Sequence, residues 1–355
     1  MIKYLGSKRL LLPHILRCVD ALPDVRTVLD LFSGTSRVGH ACKRAGYDVI
    51  ANDHNTFAHV LARCYVQADA RKVRGRATRI IAELNALPGQ AGWFTETYCH
   101  EARYIQPKNG ARIEAMRDSI RERALPADLE AVCLTALVEA ADRVDSTTGV
   151  QMAYLKRWAR RAGRDIELRL PDVLPGRGLA LGRDAAEAAA DHEVDVAYLD
   201  PPYNHHSYRG NYHLWETLVQ GDEPETYGIA RKRVDVQEHK SAFNSKPGIR
   251  PAMESVLGAL RARHVIVSFN NEGNLAPEAL LELLEGHGET LVLEVDHPRY
   301  VGARIGIHNP AGKRVGEVSH VRNKEFLFVT SEDSAALEAV RRAVSDGDVG
   351  IVRSA

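Results

Sequence analysis

The sequence predicts an α/β fold, a doubly wound parallel-type sheet interrupted by a mostly helical insert. Three observations carry that expectation. The first sixty residues alternate helix, strand, turn, helix and strand. A strongly apolar run, Val194–Leu199, passes directly into Asp200-Pro201-Pro202-Tyr203. Between these two regions, from about Phe57 to Arg164, the apolar spacing is helical and no strongly apolar strand intervenes.

Taken in order, Leu10 to Ala21 reads as a helix closed by Pro23. Thr27 to Leu31 is a buried strand that enters a turn at Phe32-Ser33-Gly34. Thr35 to Ala45 is a helix stopped by Gly46, and Asp48 to Asp53 is a second strand with an acid at its end. This is the opening unit of a doubly wound sheet. Arg112 to Ala124 and Ala127 to Val144 are helices of the insert. Strands are expected at Asp165–Leu170, Val194–Leu199, His264–Phe269, Thr290–Val295 and Glu325–Thr330, the last of them in a hairpin-rich C-terminal portion. The expected division is an α/β domain of residues 1–57 and 165–355 and an insert of residues 58–164.

Bulk properties narrow the class. The 355 residues, 45% hydrophobic and 26% charged, suit a water-soluble chain with a sizeable core. No apolar run approaches the ~20 residues that span a bilayer. Met1 to Gly6 lacks the apolar centre of a signal peptide, so a cytoplasmic protein without membrane attachment is expected. Cys18, Cys42, Cys64, Cys99 and Cys133 are odd in number and widely spaced, which suits buried thiols and neither disulfides nor zinc. The 15 histidines form no ligand pattern, so no metal is expected. Lys plus Arg equals Asp plus Glu at 47 each, but residues 58–178 hold 20 basic against 15 acidic side chains. The positive charge is concentrated around the insert, where phosphate contacts would use it.

Two constellations carry chemistry. In the first, Asp30 ends a strand and Phe32-Ser33-Gly34-Thr35-Ser36 places small residues where a ligand must approach the backbone. The helix that follows offers free N–H groups to an anionic group. Asp53, about 20 residues further on, stands where an acid accepts ribose hydroxyls in nucleoside-binding sheets. A generic strand-to-helix turn also accounts for this segment taken alone. In the second, Asp200-Pro201-Pro202-Tyr203 follows a strand, at the edge where open α/β sheets bind ligands. Two prolines remove two backbone donors, which leaves carbonyl oxygens as acceptors. A carboxylate and a proline carbonyl together accept both hydrogens of an amino group, and Tyr203 supplies a flat face for an extruded base. An aromatic amine is a poor nucleophile, and two acceptors favour the tetrahedral nitrogen whose lone pair can attack.

Together these segments resemble the Dam-like family of adenine-N6 DNA methyltransferases. Lys3-Tyr4-Leu5-Gly6-Ser7-Lys8 is similar to that family's opening motif, in which Tyr4 and Lys8 would frame the cofactor and the target pocket. Asp30 to Ser36 resembles its cofactor loop, Asp53 its ribose-binding acid, and Asp200-Pro201-Pro202-Tyr203 its catalytic signature. Asp184, within Gly182-Arg183-Asp184, stands where the family has an acid for the cofactor's adenine ring. The resemblance implies a Rossmann-like methyltransferase sheet, S-adenosylmethionine as cofactor and double-stranded DNA as partner, with a cognate restriction nuclease as a further candidate. It implies Asp200, Pro201, Pro202 and Tyr203 as catalytic residues. Tyr4, Lys8, Asp30, Phe32, Gly34, Ser36, Asp53, Asp184 and Asp200 would bind the cofactor. Ser36 departs from the glycine common at its position, and Arg183 precedes an acid whose assignment rests on spacing alone.

Other segments carry paired readings. Tyr208, Tyr212 and Trp215 would line a base pocket or pack a helix face on the sheet. Asn204 contacts the target or merely turns the chain. Ser268-Phe269-Asn270-Asn271-Glu272-Gly273 ends a strand on the expected ligand edge. Two basic clusters are candidate phosphate contacts, or simply solvated faces: Arg71, Lys72, Arg74, Arg76 and Arg79, then Lys156, Arg157, Arg160, Arg161 and Arg164 around Trp158. Thr147-Thr148-Gly149 and the basic stretch from Arg299 to Lys324 would approach the duplex. Cytosine-N4 and RNA-base methylation share the same amine chemistry. A non-catalytic DNA-binding module is the alternative of a different class.

Overall fold

The computed structural model describes residues 1–151, 157–204, 207–238, 241–270, 273–298, 307–308, 314–316, 322–345 and 349–354. The fold is mixed α/β. Its N-terminal elements are α1 (Leu12–Ala21), β1 (Thr27–Asp30), α2 (Arg37–Ala45), β2 (Asp48–Asn52), α3 (Thr56–Ala62), α4 (Ala70–Asn85), α5 (Pro107–Glu122) and α6 (Ala127–Val144). There follow β3 (Leu179–Leu181), α7 (Ala185–Asp191), β4 (Glu193–Leu199), α8 (Tyr208–Asn211), α9 (His213–Gln220), β5 (Thr226–Tyr227), β6 (Lys232–Arg233) and α10 (Ile249–Ala259). The C-terminal elements are β7 (Arg261–Asn270), α11 (Pro277–Leu284), β8 (Glu289–Pro298), β9 (Ile307–His308), β10 (Arg314–Gly316), β11 (Arg322–Ser331), α12 (Ser334–Val344) and β12 (Val349–Ser354). Among the described residues no helix is long and apolar enough to cross a membrane.

The chain divides into two compact units. The first comprises Met1–Ser7, Leu29–Ala188 and His206–Ser241, and the second Lys8–Val28, Ala189–His205 and Ala242–Ala355. Strand β1 is shared, with Thr27 and Val28 in the second unit and Leu29 and Asp30 in the first.

The first unit is mainly helical. Its centre is α6, whose apolar residues are buried almost all round, including Val132, Leu134, Leu137 and Ala141. A helix with no polar stripe must be wrapped on all sides. Helices α4 and α5 pack on it, and α3 runs on through a π-helical turn, Arg63–Gln67, which brings Cys64 and Tyr65 into the same core. Strands β2 and β3 pair in parallel from Ile50↔Leu179 to Asn52↔Leu181.

Asp165–Leu170 corrects an expectation of strand. The alternation is real, since Ile166 and Leu168 are buried, but the backbone pairs with side chains of the helices. Asn109 accepts from Ile166 N–H at 3.0 Å. Asn85 accepts from Leu168 N–H at 2.8 Å and donates to Leu168 carbonyl at 2.9 Å, while Arg112 donates to Ile166 carbonyl. Amides and guanidinium supply the partners that a neighbouring strand would otherwise provide.

The second unit holds most of the sheet, in the order β12-β8-β11-β7-β4. Strands β4 and β7 are parallel, with Val196↔His264 through Leu199↔Val267 in register. Strand β11 lies antiparallel between β7 and β8, pairing Glu325 with Asn270 on one side and Val295 on the other. Residues His264 to Asn270 of β7 are all buried, as expected for a strand covered on both faces. The start of β1 is fixed by Asp195, whose carboxylate accepts from the N–H of Arg26 and Thr27 and from the Thr27 hydroxyl. All five cysteines are free and buried. Burial pushes the thiols of Cys18 and Cys133 up to about 12 and those of Cys64 and Cys99 higher still.

Candidate active site

In the first unit, β1 delivers Asp30 and the turn that follows it. Asp30 is buried and accepts from Gly39 N–H at 2.8 Å, which anchors the first turn of α2. Ser33 N–H bonds the Asn52 carbonyl at 2.8 Å, so the loop is held to the end of β2. Gly34 has φ +50° and Ser36 has φ +56°, the region that suits glycine best. Ser36 therefore carries the strain of the position where the resemblance expects glycine, and it caps α2 in that conformation. Phe32 is half-buried beside it.

Asp53 ties the loop to the second strand. Its Oδ2 accepts from Gly34 N–H at 2.9 Å, and its Oδ1 accepts from the backbone and side-chain N–H groups of Asn55 at 2.9 Å each. Asn52 extends this order. Its side-chain amide accepts from Arg183 N–H at 3.1 Å and donates to Arg183 carbonyl at 3.2 Å. Asp184 lies next to that clamp, exposed, with Oδ1 accepting from Ala186 N–H at 2.9 Å at the start of α7. A cleft of about 430 Å³ opens here, lined by His54, Thr56, His59 and residues Ala180 to Arg183.

Tyr4 closes over Gly34, where a Cβ would lie 3.1 Å from the Tyr4 ring. The ring is stacked on Tyr212 at 4.7 Å and on Tyr208 at 5.1 Å. The Tyr212 hydroxyl accepts from Leu5 N–H at 2.6 Å, which fixes the N-terminal segment. Tyr212 and Trp215 are each 1% exposed and so are packing residues, whereas Tyr208 is half-buried.

In the second unit, β4 ends at Leu199 and delivers Asp200. Lys8 Nζ lies 3.1 Å from Asp200 Oδ1 and 3.3 Å from Glu325 Oε2, and all three side chains are largely buried. Lys8 also stands 5.5 Å from the Tyr203 ring centroid. Burial raises the Asp200 carboxyl; Lys8 pulls it down and Glu325 adds to the rise, leaving it pushed up to about 6. Burial works against the Lys8 charge, yet Asp200, Tyr203 and Glu325 outweigh it and hold the ammonium well above the usual lysine range. Pro201 is buried and Pro202 half-buried. Tyr203 packs its ring at 5.3 Å and 59° on Phe269, and its carbonyl accepts from Asn274 N–H at 2.6 Å. Asn204 offers its carbonyl to the Asn244 side chain at 2.7 Å. Ser268 and Asn270 are buried on β7, while Asn271 and Glu272 lie outside the described residues, as do His205 and His206.

Residues that sequence reasoning singled out thus gather in two places. Tyr4, Asp30, Phe32, Gly34, Ser36 and Asp53 belong with the loop of the first unit, with Asp184 beyond the Asn52 clamp. Lys8, Asp200, Pro201, Pro202 and Tyr203 belong to the second. Sequence reasoning missed Glu325, Asn52 and Asn55. The only signal for Glu325 was an acid opening an otherwise apolar strand. Among the described residues no group of side chains could hold a metal ion.

The basic clusters are exposed. Arg71, Lys72, Arg74, Arg76 and Arg79 face solvent on α4, as do Arg157, Arg160 and Arg164, while Lys156 lies outside the described residues. Arg161 is turned inward on Asp145 at 2.8 Å, and Asp145 also binds Lys3. Arg103 stacks on Trp158 at 5.4 Å. Thr147 is buried against Asp145, so Thr148 alone of the two threonines is exposed. Most of the Arg299–Lys324 stretch lies outside the described residues.

A strand-end loop pinned by two acids, and an aspartate-proline-proline-tyrosine turn backed by a buried lysine, occur in order along one chain. The family model described as D12 class N6 adenine-specific DNA methyltransferase matches residues 4–261, the greater part of the sequence. The chain belongs to this family. It is similar to type II methyltransferase M.NlaIII of Neisseria lactamica, 28% identical over 307 residues, covering 84% of this chain and 90% of that one. Modification methylase StsI of Streptococcus sanguinis is 29% identical over 301 residues, covering 80% of this chain and 46% of its own. Type II methyltransferase M.FokI of Planomicrobium okeanokoites is 30% identical over 362 residues, covering 96% and 54% respectively. The chain therefore spans about half the length of the last two relatives.

Proposed function

We propose that this chain transfers a methyl group from S-adenosylmethionine to the N6 amine of an adenine extruded from double-stranded DNA. The observation that carries the reading is Asp200. It is a largely buried carboxylate at the carboxyl end of a parallel strand, ion-paired with Lys8 and followed by two prolines. We read the setting as a Rossmann-like methyltransferase sheet, with Asp30 and Asp53 as nucleoside-binding acids.

The residues suit the cofactor. Gly34 has no side chain where Tyr4 lies over the loop, and Asp53 keeps acceptor capacity beside the bonds it makes. Tyr4, Phe32, Gly34, Ser36, Asp30, Asp53 and Asp184 would hold the nucleoside and amino-acid parts. When bound, the cofactor supplies an electrophilic methyl on a sulfonium. Asp200 and the Pro201 carbonyl accept the two amine hydrogens and so turn the nitrogen lone pair toward that methyl. As positive charge develops on the nitrogen, the Asp200 carboxylate stabilises it and stands ready to take the proton that must leave. Tyr203, stiffened by Phe269, gives the base a face to stack on.

Residues 58–164 serve in this reading as the DNA target-recognition region, with exposed arginines of α4 and of residues 157–164 on the phosphates. The relatives' names, modification methylase and type II methyltransferase, favour a modification enzyme; in this reading it works in the cytoplasm, with a cognate restriction nuclease as a candidate partner. Tritiated-methyl transfer to DNA, followed by digestion to nucleosides, tests the assignment. Label in N6-methyladenine supports it, whereas label in N4-methylcytosine, in RNA only, or in nothing refutes it. Asp200→Ala should abolish transfer while S-adenosylmethionine affinity stays within about tenfold.

A further inference from the structure

We propose that Glu325 is a positioning residue for methyl transfer, acting through Lys8 to keep Asp200 free as an acceptor and the buried site negatively charged. The inference rests on the reading above. Glu325 lies on β11 directly across from Asn270, its side chain largely buried, with Oε2 3.3 Å from Lys8 Nζ. A buried lysine needs one counter-ion, and this lysine has two, Asp200 at 3.1 Å being the other. One cation against two carboxylates leaves an excess negative charge, which is costly to bury unless something uses it.

Methyl transfer can use it. The positive charge of the sulfonium moves onto the amine nitrogen that Asp200 holds, so excess negative charge is most favourable in the transition state. Glu325 also divides the lysine. Were Lys8 paired with Asp200 alone, its ammonium would compete directly with the incoming amine for the same oxygen. The remaining titratable groups facing the trio, among the described residues, are Tyr203, whose phenol burial pushes well up, and Tyr198. Glu325 adds to the rise of the Asp200 carboxyl, which gives the arrangement a pH signature.

The test uses the full chain with Glu325→Gln, which keeps shape and a hydrogen-bonding oxygen but removes the charge, and with Glu325→Asp, which keeps the charge. Asp200 ionisation is followed by carboxyl carbon NMR without DNA or cofactor, and kcat is followed against pH with DNA. In E325Q the Asp200 midpoint should move down and the acid limb of kcat should move with it. The plateau should fall about tenfold, less than the ~100-fold expected for a direct transition-state contact. E325D should recover the midpoint and part of the rate. Wild-type kcat and acid limb in E325Q overturn the proposal, as does a loss of rate with no change in the Asp200 midpoint. If E325Q does not fold, E325D carries the test alone. Its shorter reach should lower kcat with the folded midpoint intact, and an unchanged kcat overturns the idea. If wild-type protein methylates no DNA, the preceding reading fails, while the NMR arm still reports on the charge coupling.

Discussion

Gly34→Ala is the perturbation whose cost the structure defines best. The backbone at Gly34 has φ +50°, where an L-residue costs roughly 1–2 kcal/mol. Stiffening the unfolded chain returns ~0.4–1 kcal/mol of that. The new methyl would stand 3.1 Å from Tyr4 Cε1 and 3.3 Å from its hydroxyl, inside the ~3.5–4.0 Å of a relaxed contact. Tyr4 cannot simply withdraw, since its ring is stacked against Tyr208 and Tyr212 and the Tyr212 hydroxyl is bonded to Leu5 N–H. A net loss of about 1–3 kcal/mol is expected, with S-adenosylmethionine affinity reduced about tenfold as the loop shifts. Denaturant unfolding and calorimetric titration measure the two effects. A double-mutant cycle with Tyr4→Ala isolates the steric part, because the missing ring leaves only the backbone penalty, and a coupling of about 1 kcal/mol should appear. A G34A protein with wild-type stability and affinity, or strict additivity in the cycle, would refute the account of Tyr4 as a lid wedged over the loop.

Two further outcomes follow from buried groups. Burial pushes the Asp142 carboxyl up to about 6 despite Lys3 beside it, so the folded state binds its proton more tightly than the unfolded chain does. Stability should therefore rise as pH falls through 6 toward the ordinary carboxylate range, and Asp142→Asn should remove a slope on the order of 2 kcal/mol from denaturant midpoints between pH 8 and 4. Gly110→Ala should cost about 1–3 kcal/mol, because its Cβ would collide with Cys99 Sγ where α5 meets the π-helical turn Thr95–Glu101. Cys99→Ala in the same chain should recover much of that loss in thermal unfolding; no recovery would assign the cost to the helix itself.

What could be read from the sequence was local. Asp30, Gly34 and Asp53 sit at strand ends within one strand–turn–helix–strand unit, and Asp200 follows seven residues of β4, so pattern and position agree without knowledge of the rest. The ion trio was not local. Lys8, Asp200 and Glu325 are separated by most of the chain, and only the pairing of β11 with β7 brings the acid into the site. In the sequence Glu325 is only the first residue of an expected strand, with nothing local to tie it to Lys8 or Asp200. The misread strand at Asp165–Leu170 has the converse cause. Alternating burial is real there, but the pairing comes from Asn85, Asn109 and Arg112, which periodicity does not register.

The buried thiols have a practical consequence. With Cys18, Cys64, Cys99 and Cys133 shielded and so weakly acidic, almost no thiolate is present at neutral pH for an alkylating or oxidising reagent to find. Because these four sulfurs are spread from α1 to α6, the time course of their labelling becomes a clock for transient opening of the separate helices, one that needs no engineered reporter.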